Sequence, residues 1–211
     1  MTRVKICGLS RTDDIEYANI LLPDHIGFVF AESSRRVSPA QAGALRAKLD
    51  GRIAAVGVFA DAPVELIAGL LADGVIDIAQ LHGVEDARYI SELKNVSGAA
   101  VIKALPARAD RSEYEGLADY LLFDAFSADG SGGSGNRFDW SEIGDVNTPF
   151  FLAGGLTPEN AAEAARAVSP YCLDVSSGVE TDGRKDFEKM KRFIEIVRGS
   201  SNGRTFRVES D

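Results

Sequence analysis

Short apolar runs alternate along the chain with longer stretches in which apolar residues recur every three or four positions. The first pattern is typical of buried strands and the second of amphipathic helices. Eight runs rich in Val, Ile, Leu and Phe are predicted strands: residues 3–7, 25–30, 53–59, 75–81, 99–103, 120–124, 149–153 and 172–175. Their alternation with helices predicts a parallel sheet with crossover connections.

Amphipathic helices are predicted between several of these strands. They cover residues 39–50, 63–73, 85–95, 157–168 and 185–198. Two helix starts are marked by Ser-Pro or Thr-Pro, in which proline is already suited to the first helical turn. Eight β–α units within 211 residues fit a single (β/α)8 TIM barrel. The alternative, an open six-stranded doubly wound sheet, would leave strands over.

Length and composition favour one domain. Of the 211 residues, 45% are hydrophobic, which is enough for one good-sized core. We predict that residues 1–200 form the barrel and that residues 201–211 (SNGRTFRVESD) are a flexible tail, since polar chain ends bury little surface. The stretch SADGSGGSGN (127–136) is a low-complexity segment within the predicted domain.

The charge balance argues against several partners. A net charge of -9 and a pI near 4.8 are unfavourable for binding nucleic acid, which depends on clustered Lys and Arg. No apolar run approaches the ~20 residues needed to span a membrane. The two cysteines lie far apart in sequence and no leader-like segment precedes the first strand, so we expect a reducing, cytoplasmic location.

Polar residues that end the predicted strands are the candidates for function, because active sites of such barrels form at the carboxyl ends of the strands. These candidates are Cys7, Arg35, Arg36, His82, Lys103, Asp124 and Asp174. Each has a plainer interpretation, such as a buried thiol, a solvated charge or a salt bridge. Asp124 is favoured as catalytic because a long glycine-rich connection, typical of a mobile cover, follows it. Cys172, which begins the last strand, is predicted to be a core residue.

Two glycine-containing segments point to a phosphate group. Gly154 and Gly155 lie between the seventh strand and a helix start, and Ser176, Ser177 and Gly178 follow the eighth strand. Tight turns would explain the glycines but not where they lie. Barrels often bind phosphate through the backbone N–H groups of the loops after strands seven and eight. We therefore predict a phosphorylated small-molecule ligand.

Taken together, the motifs resemble those of one enzyme family. VKICGL, GFVF followed by SSRRVSP, QLHG, LLFDA, GGSGNRFDW, GGLTPEN and DVSSGVE occur in the order found in phosphoribosylanthranilate isomerases, and the match runs from residue 3 to about residue 196. The resemblance implies a (β/α)8 barrel that converts N-(5-phosphoribosyl)anthranilate to 1-(2-carboxyphenylamino)-1-deoxyribulose 5-phosphate in tryptophan biosynthesis. This Amadori rearrangement requires no metal or other cofactor, because the iminium of the substrate accepts the electrons.

The resemblance also implies residue roles. The general base falls on Cys7 and the general acid on Asp124, which requires a thiolate and a protonated carboxyl group. An arginine should bind the anthranilate end. Aligning the family pattern S-P-R-x-V-S-P on Val37-Ser38-Pro39 places its arginine at Arg35. A shift of one residue in the loop would place it at Arg36. The strand-end positions of His82 and Asp174 make them further candidates for substrate binding.

Two alternatives remain open from the sequence. One is another phosphosugar barrel, such as the related isomerase of histidine biosynthesis, for which the resemblance would require an aspartate in place of Cys7. The other is a non-catalytic phosphosugar-binding or thiol-sensing barrel, which Asp124 argues against. The sequence indicates no dimer face, so both a monomer and a homodimer remain possible.

Overall fold

Eight parallel strands form a closed barrel, with helices packed around its outside. A computed structural model describes residues 1–124 and 140–200, with the backbone alone at residues 141 and 142. Most of the glycine-rich motif GGSGNRFDW, the expected mobile cover and the predicted tail 201–211 lie outside the described residues. Among the residues described, no helix has the length and apolar character needed to cross a membrane.

The eight strands predicted from the apolar runs are all present. They are β1 (Arg3–Cys7), β2 (His25–Val29), β3 (Ala54–Phe59), β4 (Ile78–Leu81), β5 (Ala100–Pro106), β6 (Tyr120–Asp124), β7 (Phe150–Ala153) and β8 (Cys172–Val175). Each strand pairs in parallel with the next, and β8 pairs with β1 to close the ring. The TIM-barrel prediction is therefore confirmed, and the open sheet is excluded.

The helices lie mostly where the amphipathic pattern predicts them. They are α1 (Thr12–Leu21), α2 (Pro39–Arg46), α3 (Val64–Ala72), α4 (Ala87–Ser97), α5 (Pro158–Val168) and α6 (Phe187–Ser200). Short 3-10 helices cover Trp140–Ile143 and Ser177–Val179, and a small hairpin joins β9 (Glu180–Thr181) to β10 (Arg184–Lys185). Residues 107–119 connect β5 to β6 through turns.

Helix α1 is absent from the helices that the sequence indicated. Its sequence, TDDIEYANIL, is mostly polar, so its apolar face is weak. Its start is fixed instead by the buried Asp14, whose carboxylate accepts hydrogen bonds from the backbone N–H groups of Ser10 and Arg11. A first-turn carboxylate that accepts from N–H groups just before the helix stabilises its start even where the amphipathic pattern is weak.

Buried apolar residues form two separate clusters. The larger cluster fills the space between the strands and the surrounding helices. The smaller one lies inside the barrel and includes Val56, Ile102, Leu122, Phe151 and Cys172. Alternate side chains of a strand point to opposite faces, so β3 and β5 to β8 contribute to both clusters. The inner apolar cluster closes the barrel below the polar residues of its mouth.

Candidate active site

A cavity of about 210 Å³ opens at the carboxyl ends of the strands. The residues that line it are Cys7, Val58, Gln80, His82, Asp124, Ala153, Gly154, Gly155, Leu156, Asp174, Ser176, Ser177 and Gly178. It thus brings together most of the candidates predicted from the sequence. Arg35 and Arg36 are not among the residues that line it.

Cys7 is the last residue of β1 and is partly buried in the cavity wall. The neighbouring strand makes room for its thiol, because a Cβ atom at Gly27 would come within 2.7 Å of Sγ. Gly8 follows at φ +84°, a left-handed conformation that favours glycine. Burial raises the pKa of the Cys7 thiol, while the positive charges of Lys5 and Lys185 act in the opposite direction.

A buried lysine organises the polar side chains beneath the cavity. The Lys5 ammonium donates to Oδ2 of Asp174 at 2.6 Å and to Oε1 of Gln80 at 2.7 Å. Burial disfavours the charge on Lys5, but the attraction of Asp174 prevails and raises the pKa of Lys5 above its ordinary value. Lys5 is therefore a fixed cation two residues before Cys7 on the same face of β1.

The two carboxylate oxygens of Asp174 differ: Oδ2 accepts from Lys5, and Oδ1 has no partner within the described part of the chain. Its Oδ1 is buried and makes no hydrogen bond to any described residue, although Asp174 lines the cavity. Leaving a buried carboxylate oxygen unsatisfied costs roughly 1–3 kcal/mol. A ligand hydroxyl or N–H group in the cavity would remove that cost.

Asp124 ends β6 and faces His82 across the mouth. Oδ2 of Asp124 lies 3.5 Å from Nε2 of His82, which is at the outer limit of a hydrogen bond. The other ring nitrogen of His82, Nδ1, lies 3.2 Å from Nε2 of Gln80. Asp124 is 26% exposed and His82 39% exposed, so both are accessible from the cavity.

The two glycine-containing loops meet at one side of the cavity. Gly154 and Gly155 have φ values of +86° and +62°, so both lie in the left-handed region. A Cβ atom at Gly178 would collide with the carbonyl oxygen of Leu156, which shows how closely the two loops approach each other. Ser176 donates from its hydroxyl to the carbonyl oxygen of Cys7 at 3.1 Å, linking the second loop to β1.

The two adjacent arginines occupy different environments. Arg35 lies over Gly8, and its Nε and Nη2 donate to the two carboxylate oxygens of Glu180, both at 2.7 Å. Lys185 also contacts Glu180. Burial alone would raise the pKa of Glu180, but Arg35 and Lys185 together lower it to about 2. Arg36 instead pairs with the exposed Glu32 and is 55% exposed. Arg35 is thus the arginine held at the mouth.

Lys103 does not belong to the mouth. Its ammonium donates to the carbonyl oxygen of Gly83 at 2.7 Å and to Glu85 at 2.8 Å, and it does not line the cavity. The expected salt bridge exists, but it anchors the loop between β4 and α4. Side-chain alternation explains this, because Lys103 follows Ile102, a member of the apolar cluster inside the barrel.

Sequence reasoning missed Lys5 and Gln80, which link Asp174 to His82. Their signal is the period of two in a strand: Lys5 precedes Cys7, and Gln80 precedes His82, by two positions. Residues two apart share a face, so both side chains point into the barrel with the candidates. Glu180, which holds Arg35, and Lys185, which also pairs with Glu180, were missed as well.

Together, the closed barrel and the polar cavity at the carboxyl ends of its strands define a TIM-barrel enzyme. The family model described as N-(5'phosphoribosyl)anthranilate (PRA) isomerase matches residues 4–196. The chain belongs to this family and is an isomerase of tryptophan biosynthesis. The function predicted from the motifs is confirmed, which argues against the non-catalytic binding barrel.

Individual relatives support the same assignment. The N-(5'-phosphoribosyl)anthranilate isomerase of Caldanaerobacter subterraneus subsp. tengcongensis is 47% identical, over 94% of this chain and 99% of the relative. The crystal structure of the Thermotoga maritima phosphoribosyl anthranilate isomerase has a TM-score of 0.82 and 33% identity, over 94% of this chain and 100% of that one. Another structure describes monomers of this dimeric Thermotoga maritima enzyme.

One solved relative contains a ligand. This phosphoribosyl anthranilate isomerase is in complex with reduced 1-(o-carboxyphenylamino)-1-deoxyribulose 5-phosphate. Its TM-score is 0.77 at 30% identity, over 94% of this chain and 100% of that chain. The ligand combines a carboxylate, a sugar chain and a phosphate.

Proposed function

We propose that the protein converts N-(5-phosphoribosyl)anthranilate to 1-(2-carboxyphenylamino)-1-deoxyribulose 5-phosphate, with Asp124 as general acid and Cys7 as general base. The observation that carries this assignment is that one cavity is lined by this carboxyl group, this thiol and two glycine-containing loops. The acid and the base come from β6 and β1, which are separated by two strands around the ring. A sugar bound between them is reached by both groups.

Asp124 starts the reaction by transferring its proton to the ring oxygen of the sugar. The C1′–O bond breaks, and the nitrogen lone pair forms a C1′=N iminium. Cys7, as thiolate, then removes the proton from C2′, and its electron pair moves towards the iminium to give an enolamine. Tautomerisation moves a proton from the enol oxygen to C1′ and yields the ketone. General acid–base catalysis of this kind contributes about 10²–10⁴-fold to a rate.

The electrostatic environment of Cys7 favours its thiol form. Burial raises its pKa, so the thiolate is the minor form at neutral pH. The cations Lys5 and Lys185 limit this effect, and the positive iminium formed in the reaction adds a third charge that favours the thiolate. The base is therefore strongest when the substrate has become the cation that needs deprotonation.

The remaining groups of the site bind different parts of the substrate. Asp174 accepts a hydrogen bond from a sugar hydroxyl through its unsatisfied Oδ1. The loop containing Gly154 and Gly155 and the loop formed by Ser176, Ser177 and Gly178 bind the phosphate through backbone N–H groups. His82 lies beside Asp124 at the sugar. We further propose a cytoplasmic protein that acts as a monomer or a homodimer and does not bind nucleic acid.

Arg35 is the arginine that binds the anthranilate carboxylate. Glu180 occupies the Nε–Nη2 edge of its guanidinium, and Nη1 has no hydrogen-bond partner within the described part of the chain. A second carboxylate can therefore approach the opposite edge without displacing the first. Arg36 is instead paired with the exposed Glu32 on the surface.

The activity is tested by following the fluorescence of phosphoribosylanthranilate as purified protein consumes it. We expect turnover by the wild type and a loss of about 10²-fold or more in kcat for Asp124→Asn. Asp119→Asn, at the opposite end of β6 and in a surface pair with Lys94, is the matched control. Folded wild-type protein without turnover would contradict the proposal, and so would a fully active Asp124→Asn.

The arginine assignment is tested separately. Arg35→Ala should raise KM by about tenfold or more, because a charge-assisted bidentate contact to the carboxylate is lost. Arg36→Ala, one residue away, should retain the KM of the wild type. A larger effect at Arg36 would reverse the assignment.

A further inference from the structure

A hydrogen-bond chain links the buried cation of β1 to the carboxyl group that ends β6. Lys5 donates to Oε1 of Gln80, Nε2 of Gln80 meets Nδ1 of His82, and Nε2 of His82 faces Asp124. Two members of this hydrogen-bond chain, Gln80 and His82, line the cavity.

The donors and acceptors that these side chains carry fix the direction of each hydrogen bond from Lys5 to His82. An ammonium group has only donors, so the amide atom of Gln80 that lies 2.7 Å from Lys5 must be its oxygen. The NH₂ end of the amide then faces His82 and can only donate. Nδ1 of His82, 3.2 Å away, must therefore accept, and a neutral imidazole with an unprotonated Nδ1 carries its proton on Nε2.

We propose that Gln80 is a positioning residue that fixes His82 in the Nε2–H tautomer, so that His82 presents a donor to Asp124. The inference rests on the proposed role of Asp124 as the general acid. Lys5, held by Asp174 at 2.6 Å, is the anchor that sets the orientation of the Gln80 amide.

The tautomer matters for two stages of the proton transfer. Before the transfer, the opposite tautomer would direct a lone pair of Nε2 at the protonated Asp124 and compete with the sugar ring oxygen for its proton. After the transfer, the Nε2–H group stabilises the new carboxylate by donating to it. The 3.5 Å between Nε2 of His82 and Oδ2 of Asp124 is at the outer limit of a hydrogen bond, and catalytic contacts of this length tighten in the Michaelis complex.

The tautomer is measured directly by ¹⁵N NMR of protein with labelled histidine. The chain has only two histidines, His25 and His82, so a His82→Asn spectrum assigns the signals. Protonated and unprotonated ring nitrogens have well-separated shifts. We expect Nε2 of His82 to carry the proton in the wild type. In Gln80→Glu, which keeps the shape but can only accept, we expect the proton on Nδ1.

Kinetic measurements test whether this tautomer of His82 supports proton transfer from Asp124. Gln80→Glu should lower kcat by about tenfold or more, with KM within about twofold of the wild type. In an Asp124→Asn background the same change should have almost no further effect, because the group that His82 serves is gone. Gln41→Glu, an exposed glutamine whose amide donates to the carbonyl oxygen of Ser10, is the matched control.

Each outcome decides the proposal. A Gln80→Glu protein that retains the Nε2–H tautomer, or that changes it with unaltered kcat, would overturn the inference. An additive effect in the double variant would assign Gln80 a merely structural role. If Gln80→Glu does not fold, Gln80→Met keeps the volume and should give a mixture of tautomers with an intermediate kcat. Full activity in Asp124→Asn would refute the acid assignment itself, which is a different failure.

Discussion

The mouth and the floor of the barrel interior each contain one cysteine and one histidine, in opposite environments. At the mouth, Cys7 and His82 line a cavity together with Asp124 and Asp174, and the ammonium of Lys5 lies beneath it, paired with Asp174. At the floor, Cys172 and His25 are buried next to Phe151 and Tyr171. The residue types are the same, so their chemistry is decided by neighbouring charges and by access to the cavity.

Replacing the two cysteines should give the largest contrast. Cys7→Ala should lower kcat by about 10²–10⁴-fold, because it removes the proposed acceptor of the C2′ proton, with little loss of stability. Cys172→Ala should leave kcat near the wild-type value and lower the free energy of unfolding by ~1 kcal/mol, through a small cavity. Steady-state kinetics and urea unfolding measure the two effects. Equal kcat values for the two variants would remove the distinction between mouth and floor.

The two thiols should also titrate in a fixed order. Burial raises the pKa of both, and at Cys172 it raises the pKa well above the ordinary value. At Cys7 the cations Lys5 and Lys185 oppose burial, so its thiolate forms at lower pH. Because the thiolate is the reactive form, Cys7 should be alkylated faster than Cys172.

Single-cysteine variants make this measurement. Cys172→Ala reports Cys7, and Cys7→Ala reports Cys172, by thiolate ultraviolet absorbance or iodoacetamide labelling. Adding Lys185→Met should raise the pKa of Cys7 further and slow its labelling. Labelling of Cys172 before Cys7 in folded protein would contradict the expected order.

The histidine of the floor should make stability depend on pH. Burial lowers the pKa of His25 from 6.5 to about 4. In the unfolded chain His25 therefore binds a proton below about pH 6.5, whereas in the folded protein it does so only below about pH 4. The stability is fully present above that range and is lost as the pH falls through it, by about 2 kcal/mol at pH ~5 and ~3 kcal/mol in full.

Urea unfolding of the wild type and of His25→Gln at pH ~7.5 and ~5 measures this contribution. The loss of stability at the lower pH should be smaller by about 2 kcal/mol in His25→Gln. It should persist in His82→Gln, which controls for removal of a histidine from the mouth. An unchanged pH dependence in His25→Gln would place the proton uptake elsewhere.

The sequence predicts the frame of the molecule better than the connections within its site. Apolar runs fix the eight strands, because a strand buried on both faces needs apolar residues at nearly every position. Cys7, Asp124 and the glycine loops were found because the ends of parallel strands meet at one face. The Lys5–Asp174 pair was not found, since it depends on the register between the first and last strands. The choice of Arg35 likewise depends on Glu180, 145 residues away.

Helix α1 shows the opposite limit. Its start depends on a single carboxylate, that of Asp14, which a search for amphipathic periodicity does not detect. Lys103 shows that a polar residue at a strand end is not sufficient. A difference of one position decides whether its side chain points into the barrel or towards the loop containing Glu85.

The seam between β1 and β8 couples closure of the barrel to a buried ion pair. Lys5 and Asp174 are register partners across this seam, so the cation that organises the mouth comes from the first strand and its counter-ion from the last. During synthesis on a ribosome, β1 emerges long before its partner, and until β8 docks Lys5 has to remain hydrated. Completion of the ring and neutralisation of this charge are thus a single late event. The appearance of catalytic activity would therefore report that the chain has closed on itself.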